Sequence, residues 1–173
     1  MSADPLPWSV PVRIDELGRG LHRRLSADEP TRARIAKALD LEALERLDAL
    51  VEVKPVFEGG RIGGRFSARV TQICGVTLEP FDSEIEGELE AAFTTREPEP
   101  PAPGEELGLG DLDTPDYVAG AEIDLGQYVV EHLALEIDPF PRKPGAVFEP
   151  PAEEAEPSPF AVLAKLRPGD PSS

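Results

Sequence analysis

The sequence predicts an α+β fold, an antiparallel sheet with helices laid against it. Three observations carry this. Two strand-like runs, 61–73 and 84–93, flank a turning stretch at 72–81. A third period-two run at 47–57 precedes them and is divided from them by Glu58-Gly59-Gly60, a strong turn signal. Two stretches, about 28–46 and 124–137, instead place apolar residues at helical spacing.

In the incoming run Phe66, Ala68, Val70, Gln72 and Cys74 share one face, and Arg65, Ser67, Arg69 and Thr71 the other. In the outgoing run Ile85, Gly87, Leu89, Ala91 and Phe93 oppose Glu84, Glu86, Glu88 and Glu90. Alternation of this kind marks half-buried strands. Paired antiparallel with the apolar faces together, they set arginines beside glutamates, each pair contributing roughly 0.2–1 kcal/mol. Runs 47–57, 61–73 and 84–94 thus read as a meander, either an open sheet or a partial barrel. Gly63-Gly64 signals a bulge or tight bend.

Upstream, Trp8, Val10, Val12 and Ile14 alternate with Ser9, Pro11 and Arg13, a first strand placed at an edge because Pro11 cannot donate to a ladder. Arg19, His22, Arg23 and Arg24 come next, on a loop or ragged strand. They read as a phosphate contact or as a solvated surface, the second being the plainer reading. A helix is expected at 26–39, capped by Asp28 or Glu29, with Pro30 in its first turn and a narrow stripe through Ala33, Ile35, Ala36, Ala38 and Leu39. Asp40 is expected to cap a second short helix at 41–46. Asp124 and Gln127 form a capping-box pair opening the helix 124–137. Its inner face carries Leu125, Tyr128, Val129, Leu133 and Ile137, widened by Val130, Ala134 and Leu135. The helix stops before Asp138-Pro139, and Pro139, Pro141 and Pro144 stiffen the segment beyond it.

The composition bounds the function. The chain has 173 residues, 20 prolines and a net charge of −17. Up to Cys74 it holds 12 basic and 11 acidic residues, and beyond it 5 and 23. This predicts one domain at 1–148 with an acidic flexible loop at about 97–116, then an acidic proline-rich tail, 149–173, with a short docking segment at 159–167. Bulk attraction to nucleic acid is disfavoured, and basic proteins are the easier partners. One cysteine excludes an internal disulfide. With no signal peptide or membrane span expected, the chain reads as cytoplasmic.

Catalytic motifs are missing from the sequence. There is no Gly-x-Ser-x-Gly elbow and no lysine-bearing phosphate loop. Asp111-x-Asp113-x-x-Asp116 lacks the glycine and closing glutamate of a calcium loop. His132 sits mid-helix among apolar residues and reads as structural. Cys74 is a nucleophile or metal ligand on one reading and an inert thiol in apolar surroundings on the other, which is preferred. No catalytic residue, metal or cofactor is assigned.

Three segments carry a resemblance: Gln-Ile-Cys-Gly-Val-Thr-Leu-Glu-Pro-Phe at 72–81, the stretch 123–146 and Pro-Phe-Ala-Val-Leu-Ala-Lys-Leu at 159–166. Together they resemble the YceD-like family, the large ribosomal RNA subunit accumulation proteins, in the form seen in alphaproteobacteria. The matching positions include Gln72, Cys74, Thr77, Leu78, Glu79 and Pro80, then Asp124, Leu125, Glu131, Leu133 and Leu135, then Asp138, Pro139 and Pro141. The resemblance implies a non-enzymatic role in 23S ribosomal RNA accumulation and large-subunit biogenesis. The implied partners are a ribosomal precursor particle, a basic ribosomal protein or 23S rRNA, with Arg142, Lys143, Arg23 and Arg24 as candidate contacts. Many relatives carry Cys-x-x-Cys-Leu where this chain has Thr77 in place of the second cysteine, so a two-cysteine metal half-site is not expected. The rival readings are an RNA-processing or hydrolytic enzyme using Cys74 or carboxylates, and a generic acidic interaction module.

Overall fold

In a computed structural model, residues 6–98 and 114–148 are described. The chain runs β1 (Pro11–Arg13), a 3-10 turn (Ile14–Glu16), β2 (Leu21–Ser26), α1 (Glu29–Ala38), β3 (Ala43–Val56), β4 (Gly59–Ile73), β5 (Pro80–Thr94), β6 (Asp116–Tyr117), β7 (Glu122–Asp124) and α2 (Leu125–Glu136). The strands β2-β3-β4-β5-β6 form one sheet in that order, antiparallel except for the parallel pair β5–β6. β1 and β7 make a separate two-stranded sheet. The strand order does not close on itself, so of the two expected forms the open sheet is the one found. The acidic stretch at 99–113 and the tail 149–173, including 159–167, lie outside the described residues.

The expected hairpin is present. Phe66, Ala68, Val70, Gln72 and Cys74 are all buried, and Arg65 and Arg69 stand opposite Glu88 and Glu84. The Arg69 guanidinium reaches Glu45 at 3.0 Å, Asp82 at 3.1 Å and Glu84 at 3.9 Å. These groups are about half exposed, so each pair adds under about 1 kcal/mol. Burial does more. The Phe66 ring lies over Gly87, its cross-strand partner, and the Phe93 ring lies over Gly60 in the same way. Helix α1 packs on β3 and α2 on β5, closing the core over Leu47, Val53, Ile62, Val129 and Leu133.

Several expectations are corrected. Residues 41–46 are not a helix. Asp40 takes a left-handed φ of 54°, and β3 begins at Ala43, paired with Thr71. The pairing slips between Leu44 and Arg46, so Leu44 and Leu47 both face the core. That bulge gives a strand the three-residue spacing of a helix. At Gly63-Gly64 the register is unbroken. Gly64 is needed for another reason: a methyl group there would strike the carbonyl of Leu50. Arg23 and Arg24 lie on β2, a regular strand. The first strand is shorter than expected, since Ile14 enters the 3-10 turn.

Helix α1 is capped by the Asp28 carboxylate, which accepts the Thr31 amide at 3.0 Å. Helix α2 is capped by Asp124, which accepts the amides of Gly126 and Gln127 at 3.0 and 3.2 Å. The capping box is only half formed, because the Gln127 side chain donates to Glu131 at 2.8 Å instead of turning back. Asp124 also accepts the Val10 amide at 2.8 Å, tying the first strand to the helix. Ala134 and Leu135 do not widen the buried face. Val130 does, at 6% exposed beside Tyr128 and Val129, but Leu135 is 81% exposed on the side of α2 turned away from the core. His132 is structural: Nδ1 lies 2.8 Å from the Tyr128 carbonyl and Nε2 3.2 Å from that of Glu90, bridging α2 to β5.

Candidate functional site at the turn between β4 and β5

Two of the motif segments meet at one end of the sheet. The turn after β4 and the proline-rich segment after α2 are about 65 residues apart in sequence, yet four bonds join them. Gln72 Nε2 donates to the Asp138 carbonyl at 3.0 Å. The Gly75 amide donates to the Pro141 carbonyl at 2.9 Å. The Lys143 amide donates to Cys74 Sγ at 3.3 Å, and Lys143 Nζ to Glu79 Oε2 at 2.8 Å. The ion pair with Lys143 holds the Glu79 carboxyl below its usual range, and Glu79 in turn raises Lys143. The turn closes on itself through Cys74 N to Glu79 O and Leu78 N to Cys74 O, both 2.9 Å. Pro80 then opens β5 opposite Ile73.

Cys74 is fully buried, as its inward alternation requires. Its surroundings are not the apolar ones expected. Sγ accepts the amides of Val76 and Thr77, each at 3.4 Å, and that of Lys143. The Thr77 hydroxyl and amide lead the forces that pull the thiol down to about 6, the Lys143 amide comes after them, and burial opposes them. Hydrogen bonds to the charged form favour it, and here they outweigh desolvation. The site can hold a thiolate that solvent does not reach. Thr77, which the resemblance marks as the departure from a two-cysteine motif, serves as a donor to the sulfur.

The other motif positions sort by what they support. Asp124, Leu125 and Leu133 position α2, and Glu131 takes the Gln127 amide. Leu78 is 76% exposed with a left-handed φ of 58°, and Leu135 is exposed on the outer side of α2. Pro139 and the half-buried Pro141 carry the chain from α2 to the turn. Among the candidate contacts, Lys143 is committed to Glu79, whereas Arg142, Arg23 and Arg24 are exposed and form no ion pair among the described residues. The sequence reading missed the amide nest around the sulfur and the Lys143–Glu79 pair. Neither has a local signal, since the Lys143 groups reach across more than sixty positions of chain.

A family model described as large ribosomal RNA subunit accumulation protein YceD matches residues 62–167, more than half of the chain. The chain belongs to this family. Comparison with curated proteins finds no match, and comparison with solved structures finds none either. The YceD match begins in β4 and takes in the turn, the strap after α2 and the whole of the hairpin's outgoing strand. The YceD family is named for accumulation of the large ribosomal subunit's RNA. Among the described residues no group of three or more His, Cys, Asp or Glu is placed to hold a metal, and no helix is long and apolar enough to cross a membrane.

Proposed function

We propose that this chain is a non-enzymatic factor that supports 23S ribosomal RNA accumulation by holding a basic ribosomal protein on a large-subunit precursor. The observation that carries the reading is the YceD match over 62–167. The charge distribution supports the kind of partner. Glu84, Glu86, Glu88 and Glu90 run along the solvent face of β5, and the sequence adds further acid at 97–113 and in the tail. Like charges of this density favour a basic protein over bare phosphate. The domain at 1–148 acts as the platform, and the tail with its 159–167 segment as an accessory contact. A cytoplasmic location goes with this reading.

Direct contact with RNA is a second reading, favoured by Arg23, Arg24 and Arg142, whose charges have no ion-pair partner among the described residues. Recovering the tagged full chain from cell extract tests both. Co-recovery of large-subunit proteins that survives ribonuclease supports the protein contact. Recovery that ribonuclease abolishes, with an affinity for 23S fragments falling steeply in salt, supports RNA contact. Recovery of neither defeats both.

A further inference from the structure

The motif residues Gln72, Asp138, Pro139 and Pro141 also line a cleft of about 470 Å³ that the turn geometry does not explain. We propose that this cleft binds an arginine side chain presented by the basic protein partner. The inference rests on the protein-contact reading above and names the place and the chemistry of that contact.

The electrostatics are one-signed. The lining residues include three carboxylates, Asp40, Glu42 and Asp138, and no base. Both helices end here. α1 finishes at Ala38, just before Asp40, and α2 at Glu136, just before Asp138. A helix C-terminus carries about half a negative charge, which a nearby cation offsets. The last turn of α2 has no base of its own, and Lys37 of α1 is not in the cleft wall. The side chains of Asp40 and Glu42 make no bond within the described residues, so they are open to an incoming cation.

Gln72 points independently to a hydrogen-bonding ligand. It is only 8% exposed, and its amide nitrogen is committed to the Asp138 carbonyl at 3.0 Å. Its carbonyl oxygen makes no bond among the described residues, and it is not sealed in the core, where every buried side-chain oxygen has a partner. That oxygen therefore keeps some contact with solvent, and Gln72 is one of the residues that line the cleft. An acceptor held in a largely buried side chain is poorly hydrated, and a ligand N–H satisfies it. The walls between the polar groups are Leu41, Ile73 and Ile137. An apolar stem with several fixed donors at its tip is what arginine offers. The three carboxylates do not close into a metal site, which suits an extended organic cation.

The test is a titration of ¹⁵N-labelled full-length chain with the peptide acetyl-Gly-Arg-Gly-amide, followed by amide shifts, with the citrulline peptide as its neutral counterpart. The expected result is saturable shifts at Glu42, Gln72, Ile73 and Asp138 with arginine and none with citrulline. Asp40→Asn with Glu42→Gln keeps shape and left-handed tolerance at position 40 and weakens binding about tenfold. Equal binding by this variant, equal shifts with citrulline, or shifts spread along Glu84–Glu90 instead of the cleft overturn the proposal. So does movement of the same amides in peptide-free Lys165→Gln, Arg167→Gln chain, which would make the chain's own tail the occupant. Shifts that depend on protein concentration without peptide would make it a second copy, with the same consequence. Failure of the full chain to recover any ribosomal protein defeats the broader reading separately, whatever the peptide does.

Discussion

Cys74 releases its proton at a pH near 6 in the folded chain, against an ordinary 9.0. A thiol whose folded pKa is depressed adds stability that is complete above the unfolded value and disappears as pH falls through the folded one. The window is therefore pH 9 down to 6. Urea midpoints of the native chain are expected to rise relative to those of Cys74→Ala as pH is raised from 6 to 9, and parallel curves would contradict the amide nest. Thr77→Val removes the leading donor and is expected to push the thiol pKa upward, read by thiolate absorbance. Leu78 makes a different point. A bulky residue at φ 58°, 76% exposed, is strained without any burial in return. Leu78→Gly is expected to hold or raise stability by about 1 kcal/mol. Lost precursor binding in a chain so stabilised would place Leu78 at the contact. None of this was legible in the sequence, where Cys74 reads as an apolar-facing thiol. Its amide donors come partly from Lys143, and only the fold brings them together.

At the scale of elements the hairpin was readable and its irregularities were not. Period two in β4 and β5 assigned the faces correctly because each side chain there meets one core and one solvent. It failed at 41–46, where the bulge beside Glu45 leaves Leu44 and Leu47 three apart and both buried. The pattern also overstated α2, since Ala134 and Leu135 extend the apolar run beyond what the sheet covers. Two substitutions test the elements. Gly64→Ala drives a methyl group against the Leu50 carbonyl and is expected to cost about 1–3 kcal/mol in urea unfolding. Asp124→Ala removes the α2 cap together with the link to Val10, an expected loss of about 1–2 kcal/mol. A cost near zero for either would mean that the close approach or the cap is not maintained in solution.

For the molecule as a whole, the family match over 62–167 takes in the three segments read from the sequence, and two of them meet in space. The turn, the strap and the cleft beside them form one structure in which Gln72 serves both the junction and the cleft wall. The binding reading places function in surfaces of this kind, with the buried thiolate holding the turn together. Abundance of 23S ribosomal RNA in cells depleted of the protein tests that reading most directly. The account predicts that mature 23S falls, that large-subunit precursors accumulate, and that a folded Cys74→Ala chain restores both. Unchanged 23S on depletion, or a folded Cys74→Ala chain that restores nothing, would contradict it.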